Sequence, residues 1–196
     1  FAREALDTIR PLHEKAFTVS AGESDESDEI RGYLTGLEGA ASAAYFRAFT
    51  HFFPPSLKFT NRNRRPPRDP VNALLSLSYT LLHYEMVREI ETIGLDPTIG
   101  FFHTFEYGRE SLACDMVELF RTETDRFVYH LFKERLFTDR DFHATTPGEG
   151  CYLSQGGRKR FYPLYEEFAK GARKNYAKEV RNLGRRILDG QNPVSD

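Results

Sequence analysis

"DPVNALLSLSYTLLHYEMVREIETIG", residues 69–94, sets how the rest of the chain is read. The Asp69 side chain can accept from the unpaired amides of a first helical turn, and Pro70 suits the first helical position, where no N–H is needed. From Val71 onward apolar residues recur at helical spacing over a run too long for a strand. Gly94 then supplies a stop. The spacing predicts one long, buried helix.

Working outward, "FFPPS" at 52–56 ends a helix expected from about Glu29 to Phe52, because proline cannot continue the hydrogen-bond ladder. A first helix is expected over Ala2 to Ala16, with an acidic Ser/Gly loop at 20–27 between the two. Downstream of "LDPTIGFFHTFEYG" (95–108) a helix is expected from Glu110 to Leu136. Residues 138–153 read as a loop with a small hairpin ending in "CYLS". A last helix is expected from Gln155 to Leu188, kinked or divided at Pro163 and Gly171. The expected architecture is all-α: a single multi-helix domain over 1–190, with a frayed tail at 191–196.

At 196 residues with 40% apolar and 14% aromatic side chains, one domain with a real core is affordable. The chain begins at Phe1, so it is expected to be a piece of a longer protein. No charge-free apolar run spans a bilayer and no secretory signal is visible. Cys114 and Cys151 lack CxxC spacing, which suits a reducing compartment and argues against a disulfide framework or a zinc knuckle.

The net charge of −2 is unevenly spread. "ESDESDE" (23–29) is acidic, whereas "KFTNRNRRPPR" (58–68) holds five basic residues and no acid. From Gly156 to Gly190 ten Lys or Arg stand against four acids. Such clustering suggests an anionic partner, with a solvated helix surface as the plainer reading of the C-terminal stretch.

Three places could carry chemistry. In "GLEGAASAAYF" (36–46) Glu38 lies between Gly36 and Gly39, and each helical glycine costs roughly 1 kcal/mol relative to alanine. A helix that keeps them needs a backbone or ligand close by, or small residues for tight packing with Glu38 turned to solvent; taken alone, the stretch favours packing. Asp115 and Glu118, three apart, share a helix face among Leu112, Ala113, Met116, Val117, Leu119 and Phe120. Two like charges on a buried stripe need a cation or an arginine such as Arg121 or Arg109 between them, unless the stripe is partly exposed. Both readings stand at this point.

His103 ends "GFFH" in a Gly-anchored loop just before that helix. Imidazole plus carboxylates is a mixed N/O donor set suited to Mn²⁺ or Mg²⁺. His13, His51, His83, His130 and His143 lack an evident acidic partner and read as surface or core residues. HExxH, His-Asp, P-loop, GxGxxG and GxSxG patterns are missing from the sequence. Cys114 reads as a small buried residue rather than a nucleophile, and Tyr79 as a core tyrosine.

"GLEGAASAAYF", "NRRPPRDPVNALLSLSYTLL", "GLDPTIGFFH" and "YGRESLACDMVELFR" occur in the order, and near the spacing, of CRISPR-associated protein one. The resemblance runs from about Arg31 to Arg160. It implies the C-terminal helical domain of a metal-dependent DNA endonuclease and integrase of spacer acquisition, with Mn²⁺ or Mg²⁺ as cofactor. Carried over, the family's metal ligands and catalytic residues fall on Glu38, His103 and Glu118, helped by Asp115 one turn before the last. Arg62, Arg64, Arg65 and Arg68 of the basic loop, with Arg158, Lys159 and Arg160 of the last helix, would contact DNA phosphates.

The resemblance further implies double-stranded and branched DNA as substrates, CRISPR-associated protein two as partner, a homodimer in the full-length family, a prokaryotic cytoplasmic location and no membrane. Nothing here reads as the family's N-terminal β-sheet domain. The rival expectation is a non-catalytic helical fragment that binds DNA or a partner.

Overall fold

The computed structural model describes residues 2–18, 27–103, 106–144 and 150–190. Most of the acidic run, part of the loop at 145–149 and the tail at 191–196 lie outside the described residues. The chain forms two compact units, Phe1–Arg64 and Arg65–Asp196.

In the first unit, helix α1 (Ala2–Thr18) and helix α2 (Ser27–Phe49) pack on each other, and short 3-10 turns follow at Thr50–Phe52 and Pro55–Leu57. The turns come where "FFPPS" was expected to end the helix. An aromatic cluster closes this end: Phe49 meets Phe53 edge-on at 5.0 Å between centroids, and Phe53 meets Phe59 at 5.3 Å. Edge-to-face geometry of this kind adds to what burial alone supplies.

The second unit is built around helix α3 (Pro70–Thr92). Its start follows the sequence: the Asp69 carboxylate accepts from the Asn72 amide at 2.9 Å, and Pro70 occupies the first turn. Its end does too, since Gly94 sits at φ +81, a left-handed conformation that glycine adopts without penalty. Leu82, Met86 and Ile90 of α3 pack with Leu112, Ala113 and Met116 of helix α4 (Ser111–Glu118) and with Ala172, Tyr176 and Val180 of helix α6 (Gln155–Leu188). These three helices make the core that carries the site.

Two expectations are corrected here. The single helix expected over 110–136 is two, α4 and helix α5 (Arg121–Lys133), broken at Leu119 and Phe120. Phe120 turns inward, its ring 4.6 Å from that of Tyr176, while Leu119 is left exposed. An unbroken helix would carry the two onward at one fixed pitch. The last helix, expected to be kinked or divided at Pro163 and Gly171, is not divided: α6 (Gln155–Leu188) is helical through both. Phe161, Tyr165, Ala169, Ala172, Tyr176, Val180 and Gly184 recur on its buried face. That continuous stripe outweighs the roughly 3 kcal/mol that an interior proline costs.

The hairpin is present as strands β1 (Phe142–Ala144) and β2 (Cys151–Leu153), antiparallel, with Phe142 opposite Leu153. Ser154 then caps α6 by accepting from the Gly157 amide at 3.0 Å. Among the described residues no helix is long and apolar enough to cross a membrane.

Candidate metal centre

The loop before α4 is folded around one carboxylate. Asp96 starts it, its Oδ1 accepting from the Thr98 amide at 2.8 Å and the Thr98 hydroxyl at 2.7 Å, which holds the Asp96 carboxyl below the usual carboxylate range. Leu112 N–H then donates to the Pro97 carbonyl at 2.8 Å, tying loop to helix. Asp115, with a side chain only 1% exposed, accepts from the amides of Phe101 (2.7 Å), Phe102 (3.1 Å) and His103 (3.0 Å). The His103 ring adds a fourth bond, Nδ1 to Oδ1 at 2.6 Å. Successive amides around a buried carboxylate satisfy its charge, so it needs no second cation.

Gly100 makes this wrap possible. A Cβ there would lie 2.8 Å from Asp115 Oδ2, 2.8 Å from the His103 carbonyl oxygen and 2.9 Å from the Ser111 carbonyl carbon. With Nδ1 as donor to Asp115, neutral His103 carries its lone pair on Nε2, the atom a metal would take.

Glu118, one turn on, is the outward member of the pair. Its two oxygens take Arg121 Nη1 at 2.8 and 2.7 Å, the glutamate side chain being 39% exposed and the arginine 15%. The Arg121 guanidinium also lies over the Tyr79 ring, 5.1 Å from its centroid, and the Tyr79 hydroxyl donates to the buried Asp125. Burial, with Asp125 beside it, pushes the Tyr79 hydroxyl well above the usual range. The two carboxylates therefore differ: Asp115 is buried and compensated by backbone amides and the His103 ring, with neither a metal ion nor an arginine between it and Glu118, while Glu118 is partly exposed and paired with Arg121.

The structure thus joins His103 to Asp115 directly and sets Glu118 on the same helix. Glu38 is half-buried on α2, in the other compact unit, and is described by itself. A Cβ at Gly36 or Gly39 meets nothing within 4 Å, so the close backbone expected beside these glycines is not there among the described residues. Nor, among the described residues, do three His, Cys, Asp or Glu side chains gather into a metal cage. The chemistry of the donor set still fits a hard divalent ion: a preoriented imidazole and an accessible carboxylate that already holds a cation.

Of the basic residues, Arg64, Arg65, Arg68, Arg158, Lys159 and Arg160 are exposed and Arg62 is half-buried, donating to the Asn63 carbonyl. Arg160 is tied to Asp141 and lies over the Phe137 ring.

His83, whose acidic partner is not evident in the sequence, has its Nε2 3.2 Å from Glu110 Oε2. Cys114, expected to be a small buried residue, is half-buried, and hydrogen bonding from the neighbouring His83 and Arg109 side chains to its thiolate form holds its pKa below the ordinary value, against the effect of burial. Glu110 and Cys114 stand one helical turn apart, which the sequence displays, but His83 reaches them from another helix.

The family model for CRISPR associated protein Cas1 matches residues 3–167. A CRISPR-associated endonuclease Cas1 of Thermodesulfovibrio yellowstonii is 59% identical over 162 residues, which is 83% of this chain and 51% of that protein. A CRISPR-associated exonuclease Cas4/endonuclease Cas1 fusion of Rhodospirillum rubrum is 38% identical over 169 residues, 83% of this chain and 27% of the fusion. The chain therefore spans about half the length of the first relative and about a quarter of the second. Among solved structures, a Cas1 protein from Thermotoga maritima superposes with a TM-score of 0.81 at 24% identity, over 97% of this chain and 63% of that one, a likeness of fold alone. A chain of a partial Cas6-RT-Cas1–Cas2 complex gives 0.80 at 27% identity, over 98% of this chain and 59% of that one.

Proposed function

The chain belongs to the Cas1 family, and from that premise we propose that it is the catalytic helical part of a divalent-metal-dependent DNA endonuclease and integrase of CRISPR adaptation. The helical architecture is that of the Cas1 C-terminal domain, as the all-α expectation had it. The observation that carries the proposal is the loop pinned around Asp115, which binds the His103 ring to a carboxylate one helical turn before the partly exposed Glu118.

The reaction is attack on a DNA phosphodiester by water, giving cleavage, or by the 3′-OH of spacer DNA, giving its joining to the repeat. A bound Mn²⁺ or Mg²⁺ supplies Lewis-acid stabilisation of the charge that develops on phosphoryl and leaving oxygens. His103, Glu118 and Glu38 are the residues to hold it, and Asp115 orients His103 and settles its tautomer instead of ligating. Arg62, Arg64, Arg65 and Arg68, with Arg158, Lys159 and Arg160, position double-stranded or branched DNA through its phosphates. Cas2 is the partner the reading implies, in keeping with the named Cas1–Cas2 assembly among the structural neighbours, along with a homodimer and a prokaryotic cytoplasmic setting.

The test is Mn²⁺-dependent cleavage and joining of branched DNA. His103→Ala and Glu38→Ala are each expected to lower it by 100-fold or more (on the order of 3 kcal/mol of transition-state stabilisation). Unchanged activity in either variant would sink the proposal. The pairing of Glu118 with Arg121 favours a second reading, a non-catalytic DNA- or partner-binding fragment whose carboxylates are structural. Steeply salt-dependent DNA binding, indifferent to divalent ions and to all four substitutions at Glu38, His103, Asp115 and Glu118, would select it.

A further inference from the structure

Glu118 and Arg121 stand on either side of the break between α4 and α5, the last residue of one helix and the first of the next. Arg121 reaches both glutamate oxygens with one nitrogen, while its guanidinium face rests over Tyr79. Tyr79 is fixed by its hydroxyl bond to Asp125, which is 3% exposed. The four groups form a line, Asp125–Tyr79–Arg121–Glu118, anchored at the buried end and open at the glutamate.

A glutamate this exposed is solvated by water and needs no fixed partner. The arginine, in contrast, is held from below by contacts that do not involve Glu118 at all. A monocation so seated over a carboxylate competes with any dication for it. The competition is weak, because an ion pair this accessible shifts an equilibrium by no more than about fivefold. It is therefore displaceable.

We propose that Arg121 is the resident counter-ion of Glu118, which yields the carboxylate to a divalent cation, and that Tyr79 and Asp125 are the perch that keeps the guanidinium beside the site after the exchange. This rests on the reading of Glu118 as a metal ligand. Arg121 is in this sense a positioning residue: it holds Glu118 in place and neutral in sum until the ion arrives.

The experiment is Mn²⁺ binding to the whole chain without DNA, read by electron paramagnetic resonance of free Mn²⁺. Arg121→Gln removes the competitor and is expected to tighten binding roughly two- to fivefold. Arg121→Lys keeps the charge without the planar fork and should fall between wild type and Arg121→Gln. Glu118→Gln and His103→Ala should weaken binding at least tenfold. Unchanged or weaker affinity in Arg121→Gln, with both ligand variants weakened, overturns the proposal and leaves the metal site standing. Full affinity in Glu118→Gln and His103→Ala instead removes the metal site itself and this proposal with it. Thermal melts check folding; if Arg121→Gln does not fold, Arg121→Lys decides, tighter binding than wild type supporting the exchange and equal or weaker binding overturning it.

Discussion

His103 gives Asp115 two hydrogen bonds, one from its backbone amide at 3.0 Å and one from ring Nδ1 at 2.6 Å. Main chain and side chain are thus fixed by the same carboxylate, and the ring cannot turn without leaving a buried oxygen short of a partner. With the Phe101 and Phe102 amides also bound there, the loop's shape and the histidine's orientation are one property of the fold.

Replacing Asp115 with alanine should therefore do structural damage before any catalytic damage is considered. It orphans three amides and the Nδ1–H. We expect Asp115→Ala to lower unfolding free energy by about 3 kcal/mol, since each half-buried donor left unsatisfied costs on the order of 1 kcal/mol or more. Urea unfolding measures the loss, and amide exchange at Phe101 and Phe102 should accelerate. Wild-type protection of those amides in a folded variant would show that the carboxylate does not hold the loop.

Gly100→Ala probes the same wrap from the other side. Two of the three atoms its Cβ would crowd belong to the backbone and cannot swing aside. Overpacking of this kind costs about 1–3 kcal/mol. The expected result is a destabilised protein in which His103 loses its fixed orientation, seen as a changed ring chemical shift. The same substitution at Gly36 or Gly39, where a Cβ meets nothing within 4 Å, should be neutral or stabilising by up to about 1 kcal/mol.

How far the sequence carries can be judged from these residues. Asp69, Pro70 and Gly94 act locally, within a turn of their own position, and the helix they bound is found where they predict it. The pairing of His103 with the acidic helix is also legible, because loop and helix are close in sequence. What is not legible is the division of labour between Asp115 and Glu118. Equal spacing and equal charge hide that one is wrapped by amides and the other faces solvent, since the distinction depends on where α4 breaks. The break is a tertiary event, driven by Phe120 packing on Tyr176 from more than fifty residues away. The uninterrupted α6 makes the same point in reverse, a local breaker overruled by long-range packing.

Arg173 should matter to stability more than its partial exposure suggests. It donates to Glu85 at 2.7 Å and to Glu166 at 2.5 Å, joining α6 to the buried end of an α3 carboxylate. Arg88 also reaches Glu85, at 2.6 Å, so its loss would not leave Glu85 wholly alone. Discounted for that second partner and for solvent, Arg173→Ala should cost about 2 kcal/mol. Arg88→Ala, at an exposed position, should cost less than about 1 kcal/mol. Equal effects in denaturant titrations would mean that Glu85 does not discriminate between them.

The two cysteines should differ sharply in reactivity. Hydrogen bonding to His83, and then to Arg109, lowers the Cys114 thiol below its ordinary value of 9.0, against the opposing effect of burial. Cys151 goes the other way, pushed up to about 11 by burial and by the nearby Asp69 charge. Alkylation follows the thiolate, so its rate at Cys114 should rise with pH and level off at a midpoint below 9.0, while Cys151 is still protonated. Iodoacetamide near pH 8 should therefore modify Cys114 first, as peptide mass spectrometry would show. His83→Ala removes the largest cause of the shift and should move the Cys114 midpoint upward, toward 9.0. A midpoint indifferent to His83, or prior labelling of Cys151, would break the link between the His83–Glu110 contact and the thiol one turn beyond it.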